Sequence, residues 1–299
     1  MGFNNGGSDM IKMSIGAAFS ETFAFLKANW MQMLLWVGGA LVVVGLLGYL
    51  FLGSTFTAMA MSAGDPSAAF GALGKIFLFA LIASVILYGV CMLIWRGGMH
   101  PGEAPNFAWA FQAGPAFAFG TFVVMIAAYI VIIVIMLILG LVFGAALGGM
   151  GSMSPEALAS GAVGGGAIFV MIILYIAVLV LMLWVQARFS VAGPVMADRL
   201  TRNPVTGFAE SWRITGASQW KIVGFFLLFT LAMLAYMFVA SLIFGGILGA
   251  ILGGSAVGAV LSLIVMAAVV YLPIMMFSFS MPIGIYRAIA PRASGDVFA

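Results

Sequence analysis

His100 and Glu103, in the segment RGGMHPGEAP, are the pair in this chain whose types and spacing suit proton transfer. An imidazole three residues from a carboxylate can shuttle a proton, the work of a general acid or base. A hydrolase needs more: a nucleophile, a metal, or a third group that orients the base. The sequence offers no third partner nearby, so His100 and Glu103 read as a solvated loop pair. Asp198, Arg199, Arg202 and Glu210 form a second polar group, of mixed sign. They read as loop salt bridges and caps, against the sharper alternative of a surface for a partner or for anionic headgroups.

Other chemistries fail on residue type. His100 is the single histidine, which excludes a multi-histidine metal site. Cys91 is the single cysteine and stands in an apolar run, so no intrachain disulfide forms. The 22 methionines read as adaptable packing. The Gly-rich GAVGGGA near residue 161 lacks the Lys and Ser/Thr of a phosphate loop. No catalytic, cofactor-binding or metal residues are expected, no cofactor, and no nucleic-acid partner.

The elements that must position these groups are set by composition. Of 299 residues, 65% are hydrophobic and 6% charged, where a soluble domain carries about a quarter charged. Lipid must be the solvent for much of the chain. Six apolar runs reach the roughly 20 residues a spanning helix needs: about 31–54, 76–96, 117–147, 167–189, 221–248 and 257–286. Helices are expected, because backbone groups in hydrocarbon must satisfy one another. None of the six cores holds Asp, Glu, Lys, Arg or His away from its ends, unlike an ion-coupled carrier. The sixth run contains Pro273 and Pro282 with Ser278 and Ser280 between. A proline kink is expected there, in preference to a broken helix lining a path.

Charge sets direction. Lys12, Lys27, Arg96, Arg188, Arg199, Arg202, Arg213, Lys221, Arg287 and Arg292 fall on one side of a six-span chain, and Lys75 alone on the other. The positive-inside rule then predicts both termini in the cytoplasm. The N-terminus has neither a cleavable signal pattern nor Ser or Thr at position 6 for myristoylation, so neither is expected.

Three stretches resemble one another: AAFSETFAFLKANW from Ala17, APNFAWAFQAGPAFAFG from Ala104 and VTGFAESWRITGASQW from Val205. Each has aromatics four residues apart, at Phe19/Phe23, Phe107/Phe111 and Phe208/Trp212, and each leads into a span. The chain therefore reads as a single membrane domain, 1–299, of three pseudo-repeats, at about 14–100, 104–200 and 203–292. Each is a short amphipathic interfacial helix followed by a helical hairpin. Asn203 is the expected N-cap of the third such helix, Pro204 its first residue, and Glu210 and Arg213 a weak pair on it. In the second, Gly114-Pro115 is expected to break the helix, leaving it short and buried. Trp30, Trp212 and Trp220 suit interfacial anchors. Arg188, Arg199, Arg202, Arg213 and Lys221 are the candidates for headgroup or partner contact. Gly140, Gly144 and Gly148, and Gly245, Gly249 and Gly253, repeat every four residues and predict close helix packing.

The run from Ala187 to Leu228 resembles a bacterial family. Arg188 closing a span, Gly193-Pro194, Asn203-Pro204, then Ser211-Trp212 and a turn at Gly216 are similar to the membrane domain fused to some glycerophosphodiester phosphodiesterases. That domain also occurs alone in integral membrane proteins. The resemblance implies an all-helical membrane domain. It does not carry over the phosphodiesterase reaction, which belongs to a separate soluble domain with several metal-binding histidines and carboxylates.

The sequence thus predicts an all-α, six-span protein of a bacterial inner membrane, not an enzyme. The expected role is a scaffold or regulatory module acting through membrane lipids and helix packing, with a homo-oligomer or a membrane-protein partner as a further contact. The alternative is a permease for an apolar or amphiphilic solute, with a cavity lined by Ser278, Ser280 and Tyr271.

Overall fold

A computed structural model describes residues 13–61, 66–146, 165–247 and 256–289. Among these residues the chain is helical, with no strand. The helices are α1 (Ile15–Met61), α2 (Pro66–Met99), α3 (Phe107–Ala146), α4 (Gly165–Phe189), α5 (Ala192–Asp198), α6 (Pro204–Thr215), α7 (Gln219–Ala240), α8 (Ala256–Met266) and α9 (Leu272–Ile289). Six stretches among the described residues are long and apolar enough to cross a membrane: one each in α1, α2 and α3, one through α4 and α5, one through α6 and α7, and one through α8 and α9. We call the end that gathers the start of α1, the ends of α2, α4 and α9, and the starts of α3 and α7 the basic end.

Of the three stretches expected to be short helices, one is a helix by itself. Residues 17–30 are the opening turns of α1, which runs 47 residues without a stop. At 1.5 Å per residue α1 is roughly 70 Å long, more than twice a hydrocarbon core of about 30 Å. Residues 107–119 open α3 in the same way, and Pro115 sits inside that helix. The proline removes one backbone bond, while Ala110, Ala113 and Phe117 around it are buried, and this packing offsets the loss. Residues 204–215 form the separate α6. Asn203 Oδ1 accepts the Val205 amide at 3.0 Å and Pro204 takes the first turn, as expected. A 3₁₀ turn at Gly216–Ser218 then leads into α7, and Ser218 Oγ accepts the Met13 amide at 3.0 Å.

Close helix approach occurs at glycines other than the two ridges. A Cβ on Gly114 of α3 would stand 2.5 Å from the Gly89 amide nitrogen of α2. On Gly284 of α9 it would collide with Thr22 of α1, and on Gly193 of α5 with the Trp95 ring of α2. Gly148, Gly249 and Gly253 lie outside the described residues, as do the surroundings of Gly140 and Gly144. At Gly245 a Cβ would meet nothing within 4 Å.

The core sits at the basic end. One cluster joins Phe25, Met33, Met92, Trp95, Ala192 and Met196. The other joins Val191, Val195, Ile222, Phe225, Ile283's neighbour Ile285, and Met281. The short α5 wedges between them, with residues 192 to 197 all buried. It ends with Leu200 at φ 50°, where the Thr201 amide reaches back to the Met196 carbonyl at 3.1 Å. This closes the last turn in the Schellman manner. Away from the basic end, large apolar side chains such as Leu46, Ile133, Ile176 and Phe238 are exposed, as a lipid-facing surface requires.

Among the described residues, the sixth apolar run is a continuous helical path with a π-helical turn within it. A π-helical turn at Ala267–Tyr271 joins α8 to α9, and Pro282 lies within α9. Pro273 lacks the amide that would bond the Val269 carbonyl four residues back. The Tyr236 hydroxyl of α7 donates to that carbonyl instead.

Candidate functional site

The loop pair of the sequence has a third partner, brought from far along the chain. His100 follows the last residue of α2, and its Nε2 lies 3.0 Å from Oδ1 of Asp198, the last residue of α5. Its Nδ1 lies 3.7 Å from Glu103 Oε1. The Tyr286 hydroxyl of α9 donates to Asp198 Oδ2 at 2.9 Å. Arg96 grips Glu103 through Nε at 2.8 Å and Nη2 at 2.7 Å. Its Nη1 donates to the Asp198 carbonyl at 2.7 Å and the Ala197 carbonyl at 3.2 Å. Arg287 Nη2 donates to the Gly98 carbonyl at 2.7 Å. Both ring nitrogens of His100 face carboxylates, Nε2 within hydrogen-bond distance and Nδ1 beyond it. The arrangement ties α2, α5 and α9 together at the basic end. Sequence spacing could not show it, because Asp198 is 98 residues from His100.

The second polar group centres on Glu210 of α6. Arg213 reaches it through Nε at 3.0 Å and Nη2 at 2.5 Å, and Arg199 through Nη2 at 2.9 Å. One carboxylate thus offsets two of the candidate cations. Arg202 and Lys221 are exposed and have no acidic partner among the described residues. Arg188 differs from all of these. It is 7% exposed, its guanidinium lies 4.0 Å from the centre of the Trp212 ring, and its Nε finds no acceptor. Its own carbonyl accepts the Ser211 and Thr215 hydroxyls at 2.9 and 3.1 Å, which ties α6 to the end of α4. A cation over an indole is favourable, but the charge has no counter-ion among the described residues.

The three candidate anchor tryptophans are all substantially exposed, Trp30 on α1, Trp212 on α6 and Trp220 on α7. Trp212 also packs on Trp184 and Phe189 with ring centres 5.5 and 5.3 Å apart. Between α6 and α3 lies an apolar cleft of about 410 Å³. It is lined by Gly120, Val123 and Val124 of α3, by Phe208 and Trp212 of α6, and by Phe189 at the end of α4.

Two of the three hydroxyls expected along a solute path donate within their own helix. Ser278 and Ser280 donate to the Ile274 and Met276 carbonyls, each at 2.8 Å. Ser280 is fully buried with Met33 Sδ at 3.6 Å, while Tyr271 is exposed on the outside. Among the described residues no group of three or more His, Cys, Asp or Glu side chains is placed to hold a metal ion. No protein-family model, no curated protein and no solved structure matches this chain, so the reading of its site rests on the geometry alone.

Proposed function

We propose that this is a non-enzymatic integral protein of a bacterial inner membrane, with both termini cytoplasmic, acting as a scaffold or regulatory module through lipid contacts and helix packing. The observation that carries this reading is α6. It is a short helix, pinned to α4 through Ser211 and Thr215, that exposes Val205 and Trp212 beside the charges of Arg202 and Arg213. An apolar and aromatic face next to exposed cations suits the headgroup layer. The phosphodiester chemistry associated with the similar family is no part of the proposal.

The proposal includes three pseudo-repeats, supported by corresponding contacts. Seventeen positions beyond Phe19, Phe107 and Phe208 stand Trp36, Val124 and Phe225. Phe19 packs on Phe225 at 4.5 Å, linking the first unit to the span of the third. Phe107 packs on Trp36 at 5.5 Å, linking the second unit to the span of the first. Phe208 and Val124 face the same cleft, linking the third unit to the span of the second. Each unit thus faces the span of the unit before it, the first facing that of the third.

The test is lipid retention. Replacing Arg199, Arg202 and Arg213 together with Glu reverses three charges, each worth about 1 kcal/mol beside an anionic surface. The purified variant should lose its enrichment of phosphatidylglycerol over phosphatidylcholine, read by mass spectrometry of the co-purified lipids. An unchanged ratio would reject a headgroup role.

A further inference from the structure

We infer that the cleft between α3 and α6 is a binding site for one anionic membrane phospholipid, which seats an acyl chain in it and presents its phosphate to the basic end. The inference rests on the lipid-contact reading above and narrows it to one place.

Two independent observations meet there. The first is shape. At two of the three junctions the position seventeen beyond the leading phenylalanine is aromatic, and ring meets ring. At the third it is Val124. The smaller side chain, with Gly120 beside it, leaves the cleft of about 410 Å³. Its walls are apolar, and on α3 it is lined by Phe119, Gly120, Val123 and Val124, a stretch that runs from the start of the helix away from the basic end. An apolar cleft beside that stretch of α3 suits an acyl chain hanging from the headgroup layer. A Cβ on Gly120 would stand 2.5 Å from the Phe208 ring, so the α3–α6 approach that frames the cleft depends on that glycine.

The second is charge. Arg96, Arg188 and Arg287 close the second span of each unit. Arg96 has Glu103, and Arg287 has the Gly98 carbonyl. Arg188 alone among these three has neither: covered to 7% exposure, its Nε unpartnered, it stacks on Trp212, a wall of the cleft. A covered cation with no counter-ion among the described residues is costly and calls for an anion. At the other end of α6, Arg202 is exposed and has no acidic partner among the described residues, two positions before the cleft residue Pro204. Arg202 thus offers an exposed cation to a phosphate beside Pro204 at the mouth, while Arg188 adds a covered positive charge behind the Trp212 wall. Fully exposed cations alone would attract lipid without selecting a place, whereas the cleft fixes it.

Native mass spectrometry of the whole protein in detergent, titrated with phosphatidylglycerol or phosphatidylcholine of equal chain length, tests this. Val124→Phe restores the aromatic found at the other two junctions and fills the cleft without touching any charge. It should remove one tightly retained phosphatidylglycerol while leaving thermal stability intact. Arg202→Gln should lower the preference for phosphatidylglycerol about fivefold, the factor one headgroup cation supplies, and leave phosphatidylcholine binding unchanged. If Val124→Phe folds and keeps the full lipid complement, the cleft is not the site. If wild-type protein retains both lipids equally, the occupant is not selected by charge and the inference also fails. Loss of anionic lipid in the triple Glu variant, with no change in Val124→Phe, would overturn this site and leave the general headgroup reading standing.

Discussion

Single residues decide how α5 can be buried. Gly193 faces Trp95 so closely that a methyl group has no place. Trp95 cannot withdraw easily, because its indole N–H donates to the Phe279 carbonyl of α9 at 2.7 Å. Gly193→Ala should therefore destabilise the protein by about 1–3 kcal/mol, the usual cost of overpacking. Gly38→Ala in α1 is the matched control, since a Cβ there meets nothing within 4 Å and alanine favours a helix by up to about 1 kcal/mol over glycine. Thermal unfolding in detergent, followed by tryptophan fluorescence, should show a lower midpoint for the first and an equal or higher one for the second. Equal midpoints would mean that α5 is held more loosely than its packing implies. None of this was legible in the sequence. The run VAGPVMA is too short to span a membrane, and what buries it is a tryptophan almost a hundred positions earlier. The triangle of His100, Asp198 and Tyr286 was hidden for the same reason, since it needs α2, α5 and α9 to be already assembled.

Among whole elements, apolar length was the legible signal. Six runs gave six helical stretches long and apolar enough to cross a membrane, because the bilayer fixes a minimum length that composition alone reveals. Helix ends were less legible. A stretch of interfacial character carries no stop signal when it continues into a span, so the segment before Trp30 became part of α1. The Asn203-Pro204 cap, by contrast, marked the start of α6 correctly because its chemistry is local. The sixth path shows how a helix absorbs a proline by borrowing from a neighbour. With no amide at Pro273, the Val269 carbonyl depends on the Tyr236 hydroxyl. Tyr236→Phe should cost about 1–3 kcal/mol, because it leaves a carbonyl without a donor away from water. Pro273→Ala supplies the missing amide, so adding Tyr236→Phe to it should cost much less. A double-mutant cycle on unfolding midpoints reads the coupling. Strictly additive effects would show that the hydroxyl is not replacing the lost amide.

For the molecule as a whole, the packing and the charges point to the same end. The core clusters, α5 and the Arg96, Glu210 and Arg287 contacts all lie at the basic end, while large apolar side chains face outward along the rest of α1, α3, α4 and α7. A bundle packed this way gains firmness where its polar groups satisfy one another and leaves its remaining surface to lipid. The basic residues should then hold this packed end in the cytoplasm, since moving them across would expose the cations to the translocation barrier that underlies the positive-inside rule. The chain is suited to a direct test, because Cys91 is its single cysteine and is 3% exposed. In a Cys91→Ala background, single cysteines at Arg202 and at Ser152 can be probed with a membrane-impermeant maleimide. In intact cells with a permeabilised outer membrane, Ser152→Cys should label and Arg202→Cys should not. After disruption of the inner membrane both should label. Labelling of Arg202→Cys in intact cells would invert the topology, and with it the assignment of α6, Arg188 and the α3–α6 cleft to the inner leaflet.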